Sequence, residues 1–167
     1  SGATLADTIT FTSADGGTIE TQGITITGAN DDATITVTAM DTTVTEDDGA
    51  NNTATGTVSV VDVDTGESTL LSSAATYGTV AVDGSGNWTY SLDDANLMVQ
   101  ALGAGATLTD TITFTSADGG TIETQAITIT GANDAAAITV TAAVTGVIED
   151  GGTNNTATGT VSVVDVD

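Results

Sequence analysis

The sequence predicts an all-β protein made of tandem β-sandwich repeats, and three observations carry that prediction. Threonine alternates with Ile, Val or Ala over long stretches. Gly- and Asp-rich turns separate these stretches, and the whole pattern returns after 103 residues. Superimposing positions 1–64 on 104–167 leaves 53 of 64 residues identical. A domain-sized period of this kind indicates beads on a string rather than a short-coil solenoid. The predicted organisation is the C-terminal part of one repeat (1–31), one complete repeat (32–134) and the N-terminal part of the next (135–167). The pattern opens in mid-repeat at Ser1, so a longer parent protein is expected.

Within the middle repeat, period-2 alternation marks strands at 33–39, 53–60, 107–115 and 121–130. Such alternation with β-branched residues places one face of each strand in a core. Residues 78–82 and 88–92 read as a hairpin around the turn Asp83-Gly-Ser-Gly-Asn87, and 116–120 as a second hairpin turn. Trp88, Tyr90 and Leu92 share one face and are assigned to the core, which otherwise draws on Ile, Val, Leu and Ala. Residues 93–102 alone look helical, capped by Asp93 or Asp94. About seven strands per hundred residues joined by turns imply an immunoglobulin-like Greek-key sandwich.

Composition narrows the function. The chain carries 23 acidic residues and no Lys, Arg or His, for a formal charge of −23. Nucleic-acid phosphate and anionic membrane surfaces are therefore disfavoured partners. No apolar run reaches the length of a membrane span, so no direct membrane insertion is expected. There is no Cys, and with no His base, Lys nucleophile or Arg clamp the chain is not expected to be an enzyme. Asp93 and Asp94 are neighbours at a helix start and do not face each other across a cleft as paired glycosidase carboxylates would.

Hard-cation binding is better supplied, because Ca2+ takes six to eight oxygen ligands from carboxylates, amides and carbonyls. The candidate groups are Asn30-Asp31, Glu46-Asp47 and Asp62/Asp64, with their copies Asn133-Asp134, Glu149-Asp150 and Asp165/Asp167. Asp62 and Asp64 share one side of a strand end. Two carboxylates about 4 Å apart repel by on the order of 4 kcal/mol at an effective dielectric of 20. A solvated acidic rim and a cation site are the two alternatives, and topology favours the second. In a sandwich the second strand returns to the pole where the first began, bringing Asp62 and Asp64 beside Asn30-Asp31. Glu46 and Asp47 fall at the opposite pole, near Asn133-Asp134. Acids from two domains and a linker would then gather at each joint.

The ordered series GTVSVVDVDTG, YGTVAVDGSGNWTYSLDDAN, VQAL, LTDTITFT and ITITGAND resembles the VCBS-type repeat of giant secreted bacterial adhesins, over the whole repeat. Similar tandem repeats form the extender region of RTX adhesins. The resemblance implies type I secretion and display on the surface of a Gram-negative cell, anchored at the outer membrane, with a role in adhesion and biofilm. It also implies calcium-rigidified domains that partner neighbouring repeats and project a distal domain, which binds the ligand. A looser similarity links the chain to cadherin joints: Asn30-Asp31 matches the linker Asn-Asp, and Asp62-Val63-Asp64-Thr65-Gly66 matches DxDxG. No Asp-Arg-Glu precedes the TLTDTITF strand, and Asp32 and Ala135 stand where Pro usually follows Asn-Asp, so coordination is not copied ligand for ligand.

Asp83, Ser85 and Asn87 have the first spacings of an EF-hand loop, but Trp88 stands where that loop needs Gly, which favours a hairpin turn. No GGxGxD nonapeptides occur, so the segment is not a calcium-binding β-roll. The Thr ladders could suit ice, yet twisted sandwich strands give no long flat array. A module binding glycan, protein or ice directly is the alternative to a spacer, and near-identity between successive repeats favours the spacer.

Overall fold

Alternating Thr and Ile or Val cannot bury both faces of a strand, so each such segment needs an apolar partner sheet. The computed structural model, which describes residues 2–150, 152 and 155–167, supplies that partner for the middle repeat. Gly151, Thr153 and Asn154, in the loop expected between the first strands of the last repeat, lie outside the described residues, as does Ser1. The order is β1 (Thr4–Thr12), β2 (Ile19–Thr27), β3 (Thr34–Ala39), β4 (Thr43–Thr45), β5 (Thr53–Val61), β6 (Leu70–Ala74), β7 (Gly78–Val82) and β8 (Asn87–Leu92). There follow α1 (Leu97–Gln100), β9 (Thr107–Ser116), β10 (Ile122–Thr130), β11 (Ala137–Val144) and β12 (Thr158–Val164).

Two four-stranded sheets, β3-β5-β8-β7 and β4-β10-β9-β6, enclose the core. The first carries the A-B-E-D order of an immunoglobulin-like sandwich, and in the second β9 sits between β10 and β6 as F sits between G and C. All pairings are antiparallel except β4 with β10, where Thr128 faces Thr43. That parallel pairing moves the chain from one sheet to the other after β3 and carries it to the far pole. The predicted all-β Greek-key sandwich is the fold observed.

The core is built mainly from Ile, Val, Leu and Ala around Trp88 and Tyr90, as expected, with Phe114 as a third buried aromatic. Trp88, Tyr90 and Phe114 are its largest fully buried side chains, flanked by Ile112, Ile127 and Ile129. Trp88 and Phe114 meet at 6.3 Å between ring centroids in a tilted arrangement. Full burial of each large side chain contributes about 1.5–3 kcal/mol. Gly56 makes room for the indole, because a Cβ there would lie 2.2 Å from the Thr38 carbonyl oxygen and 2.5 Å from the Trp88 ring.

The helix differs from expectation. It covers four residues, and Asn96 caps it by accepting from the Met98 N–H. Asp93 is used one turn earlier, where its carboxylate accepts from the Ala95 N–H and its carbonyl from the Asn96 N–H. The side chain of Asp94 points elsewhere, to the Asp47 N–H.

At the two ends, β1 pairs only with β2 and β11 only with β12. Each is a two-stranded hairpin with both faces exposed. Among the described residues no helix is long and apolar enough to cross a membrane.

Candidate cation-binding joints

Strand polarity decides which acids meet. β5 ends at Val61, and the chain turns through Asp62-Val63-Asp64 at the pole where residues 28–33 enter. The Asp31 N–H donates to Asp64 Oδ2 at 2.9 Å, and the Asp64 N–H to Asp62 Oδ1 at 2.8 Å. The turn brings round Glu67, so that Asp62, Asp64 and Glu67 can each offer an oxygen within 4.8 Å of the others. Asp62 Oδ2 is buried without a hydrogen-bond partner. Asn30 faces the other way: its side-chain amide donates to Asp118 Oδ2 at 3.2 Å, in the β9–β10 turn. Asp118 titrates below the usual range, held there by the Ser116 hydroxyl, the Gly120 N–H and the Asn30 amide.

The opposite pole is built from β4, α1 and the outgoing linker. Alternation from buried Val44 turns Glu46 inward, where it is 1% exposed. Its Oε2 accepts from the Ala132 N–H at 3.1 Å and its Oε1 from the Gln100 amide at 3.1 Å. Asp47 adopts a left-handed backbone (φ 54°); its carboxylate accepts from the Gln100 amide, and its own N–H donates to the Asp94 carboxylate. Burial raises the Glu46 pKa, and the charges of Asp134, Asp47 and Asp94 raise it further against the opposing Ala132 N–H. Asp134 is also raised, first by desolvation, then by Asp47 and by Asp167 and Asp165 from the next repeat. Asp134 Oδ2 is buried with no hydrogen-bond partner. Asp167 lies against Gly103 of the middle repeat.

Ten of the twelve sequence-predicted residues thus lie at the two joints. Asn30, Asp31, Asp62 and Asp64 occupy the incoming pole. Glu46, Asp47, Asn133, Asp134, Asp165 and Asp167 occupy the outgoing one, although the Asn133 amide spends itself on the Asp134 carbonyl. Glu149 and Asp150 stand exposed in the loop between β11 and β12 and join neither group. Sequence reasoning missed Glu67, Asp94 and Asp118. Only Glu67 had a local signal, following Asp64 by three residues in the same turn. All donors are oxygens, and repelling carboxylates with buried, unpartnered oxygens fit a hard divalent cation.

The model of the bacterial cadherin-like domain matches residues 30–133, which is more than half of the chain and runs from one Asn-Asp joint to the other. The chain belongs to the bacterial cadherin-like domain family. That membership agrees with the strand order of the sandwich and with acidic groups concentrated at the poles of the cadherin-like unit. No curated protein matches the chain.

Proposed function

We propose that this cadherin-like chain is a structural extender segment of a secreted, cell-surface RTX-type adhesin, stiffened by Ca2+ at its joints. The complete repeat is residues 32–134, flanked by parts of its neighbours. Asp62, Asp64 and Glu67 with the Asp31 linker would hold calcium at the incoming joint. Glu46, Asp47, Asp94 and Asp134 with Asp165 and Asp167 would hold it at the outgoing one. The observation that carries this reading is Asp134, a linker carboxylate pressed among acids of both repeats with one oxygen buried and unpartnered. The chain has no Lys, Arg or His to neutralise that gathering. Bound calcium would supply the missing positive charge and tie linker to domain, turning a flexible string into a strut that carries no catalysis and presents a distal ligand-binding domain. Calorimetric titration of the metal-free chain with CaCl2, and with MgCl2 as control, tests it: saturable calcium binding weakened by Asp134→Ala supports the reading, and equal, weak response to both ions refutes it.

A direct ligand-binding module is the second reading. A cleft of about 590 Å³ beside β6 and the β7–β8 turn, floored by Val58, Val60 and Leu70 and rimmed by Ser68 and Ser85, favours it. Saturable binding of the chain to a glycan array would establish that reading in place of the spacer.

A further inference from the structure

Taken over the two joints, the linker is tied to both of its repeats by hydrogen bonds between protein groups alone. On the preceding repeat, the Gly131 N–H donates to the Ala106 carbonyl and the Gly131 carbonyl accepts from the Gly105 N–H. The next residue, Ala132, donates its N–H to buried Glu46. The tie to the following repeat is seen at the incoming pole. The Asn30 amide has two hydrogens: one bonds the Asp31 carbonyl at 3.0 Å and the other Asp118 Oδ2 at 3.2 Å. Three residues on, the Thr121 hydroxyl donates to the Ala33 carbonyl, and Ala33 is itself buried. The turn that makes both contacts is shaped by its own residues. Asp118 Oδ1 accepts from the Ser116 hydroxyl and the Gly120 N–H, and Ser116 Oγ accepts from the Thr121 N–H. Ser13, Asp15, Gly17 and Thr18, the copies in the β1–β2 turn, make the same set of bonds. Asp118 thus keeps one oxygen for the turn and one for the linker.

We infer that the Ser116–Thr121 turn is a latch that fixes the linker to the repeat it enters without calcium, confining joint motion to one step, Ala29–Asn30 and its copy Ala132–Asn133. The preceding repeat holds the linker as far as Ala132, and the latch holds it from Asn30, the copy of Asn133. Between those anchors only the soft backbone dihedrals of the Ala-Asn step are left to turn. The linker therefore belongs mechanically to the following repeat, and Asp31 arrives already placed against Asp64. Calcium at the joint then has one step to freeze instead of the whole segment 28–33, which lowers the ordering entropy that binding must overcome. That last benefit rests on the calcium reading, whereas the latch itself does not. The opposing force is Asp32, whose carboxylate shares the space over Gly120 with that of Asp118: a Cβ on Gly120 would lie 2.8 Å from each. Asn30 and Thr121 supply attraction without adding charge. An acid at position 30 would instead set a like charge against Asp118.

Backbone amide NMR relaxation of the full chain in chelator tests the latch. Thr121→Val removes the hydroxyl without a change of charge, Asn30→Asp turns the amide contact into repulsion, and the double variant combines them. In the wild type the Asp31 and Asp32 amides are expected to be as ordered as the strands, with order parameters of about 0.85. Each single variant is expected to lower them, and the double variant to bring them below about 0.6. The unfolding midpoint, read from the fluorescence of Trp88, the single tryptophan, is expected to stay at the wild-type value. Linker amides that are already mobile in the wild type in chelator, or a double variant as ordered as the wild type, would overturn the inference. So would a double variant that loosens the whole repeat and lowers the midpoint, because the turn would then serve the sandwich rather than the linker. A chain that binds no calcium yet shows this order, and its loss in the variants, would keep the latch and remove the calcium reading.

Discussion

The backbone N–H of Asp31 donates to Asp64 Oδ2 at 2.9 Å, joining the incoming linker to the end of β5. The same short turn holds Asp62, with a buried, unpartnered oxygen, and Glu67. Removing the carboxylate at this point removes a candidate ligand and the linker's anchor together. Asp64→Ala is expected to weaken calcium binding at this joint by at least about tenfold, or roughly 1.4 kcal/mol. Because the side chain is near the surface, the melting temperature in chelator should change little. Calorimetric titration checks this, and unchanged calcium affinity would exclude Asp64 from the site.

Asp110 concerns the sandwich itself rather than its joints. Its buried carboxylate accepts from the Thr76 and Tyr77 N–H groups and from the Tyr90 hydroxyl at 3.0 Å. Tyr90→Phe removes one charge-assisted hydrogen bond and should cost about 2 kcal/mol. Asp110→Ala strands several buried donors and should cost about 3–5 kcal/mol. Denaturant unfolding followed by Trp88 fluorescence measures both, and the double variant should cost less than the sum of the two.

Acid should act on these two regions in opposite directions. Burial opposes ionisation of Asp110, but its backbone and Tyr90 donors together outweigh burial and hold its pKa below the usual value of 3.8. A depressed carboxyl stabilises the fold above its unfolded pKa, and that contribution is lost as pH falls through the folded value. Glu46 and Asp134 are raised above 4.5 and 3.8 respectively. Their protonation favours the folded state, a contribution present at low pH and lost as pH rises through their folded values. The metal-free protein should therefore gain thermal stability on mild acidification from neutral pH, then lose it below the ordinary carboxylate range. Saturating calcium should abolish the first effect and leave the second. Melting curves across pH on metal-free and calcium-loaded protein check both arms.

Gly56 and Gly84 separate packing from backbone freedom. An added Cβ at Gly56 meets the Thr38 carbonyl and the Trp88 ring, whereas one at Gly84 meets nothing within 4 Å. Gly56→Ala should destabilise the sandwich by about 3 kcal/mol through overpacking. Gly84→Ala should stay within about 0.5 kcal/mol of wild type. Equal unfolding midpoints would contradict the observed seat of the indole.

The fold was legible because Thr and Ile or Val alternate over most strands, and because Trp88, Tyr90 and Leu92 declare one buried face. β4 and β6 were not readable: three residues around Val44 and the irregular Leu70–Ala74 carry too little period. α1 was overextended because Asp93 resembles a cap, while its carboxylate is engaged by the Ala95 N–H and Asn96 takes that role. At the joints, the acids set by strand direction were legible: Asp62 and Asp64 at the end of β5, Glu46 at the end of β4. Asp94 and Asp118 were not, because they reach the poles from loops whose paths depend on tertiary packing.

If calcium turns the string into a rod, small-angle scattering of the chain in calcium and in chelator will differ. With calcium, the distribution of interatomic distances should be that of an extended particle with one well-defined maximum dimension. In chelator that maximum should blur and the profile should shift to a flexible, shorter average shape. The same shift should follow Asp134→Ala in calcium. Identical profiles with and without calcium, in a protein that remains folded by Trp88 fluorescence, would rule out stiffening by calcium.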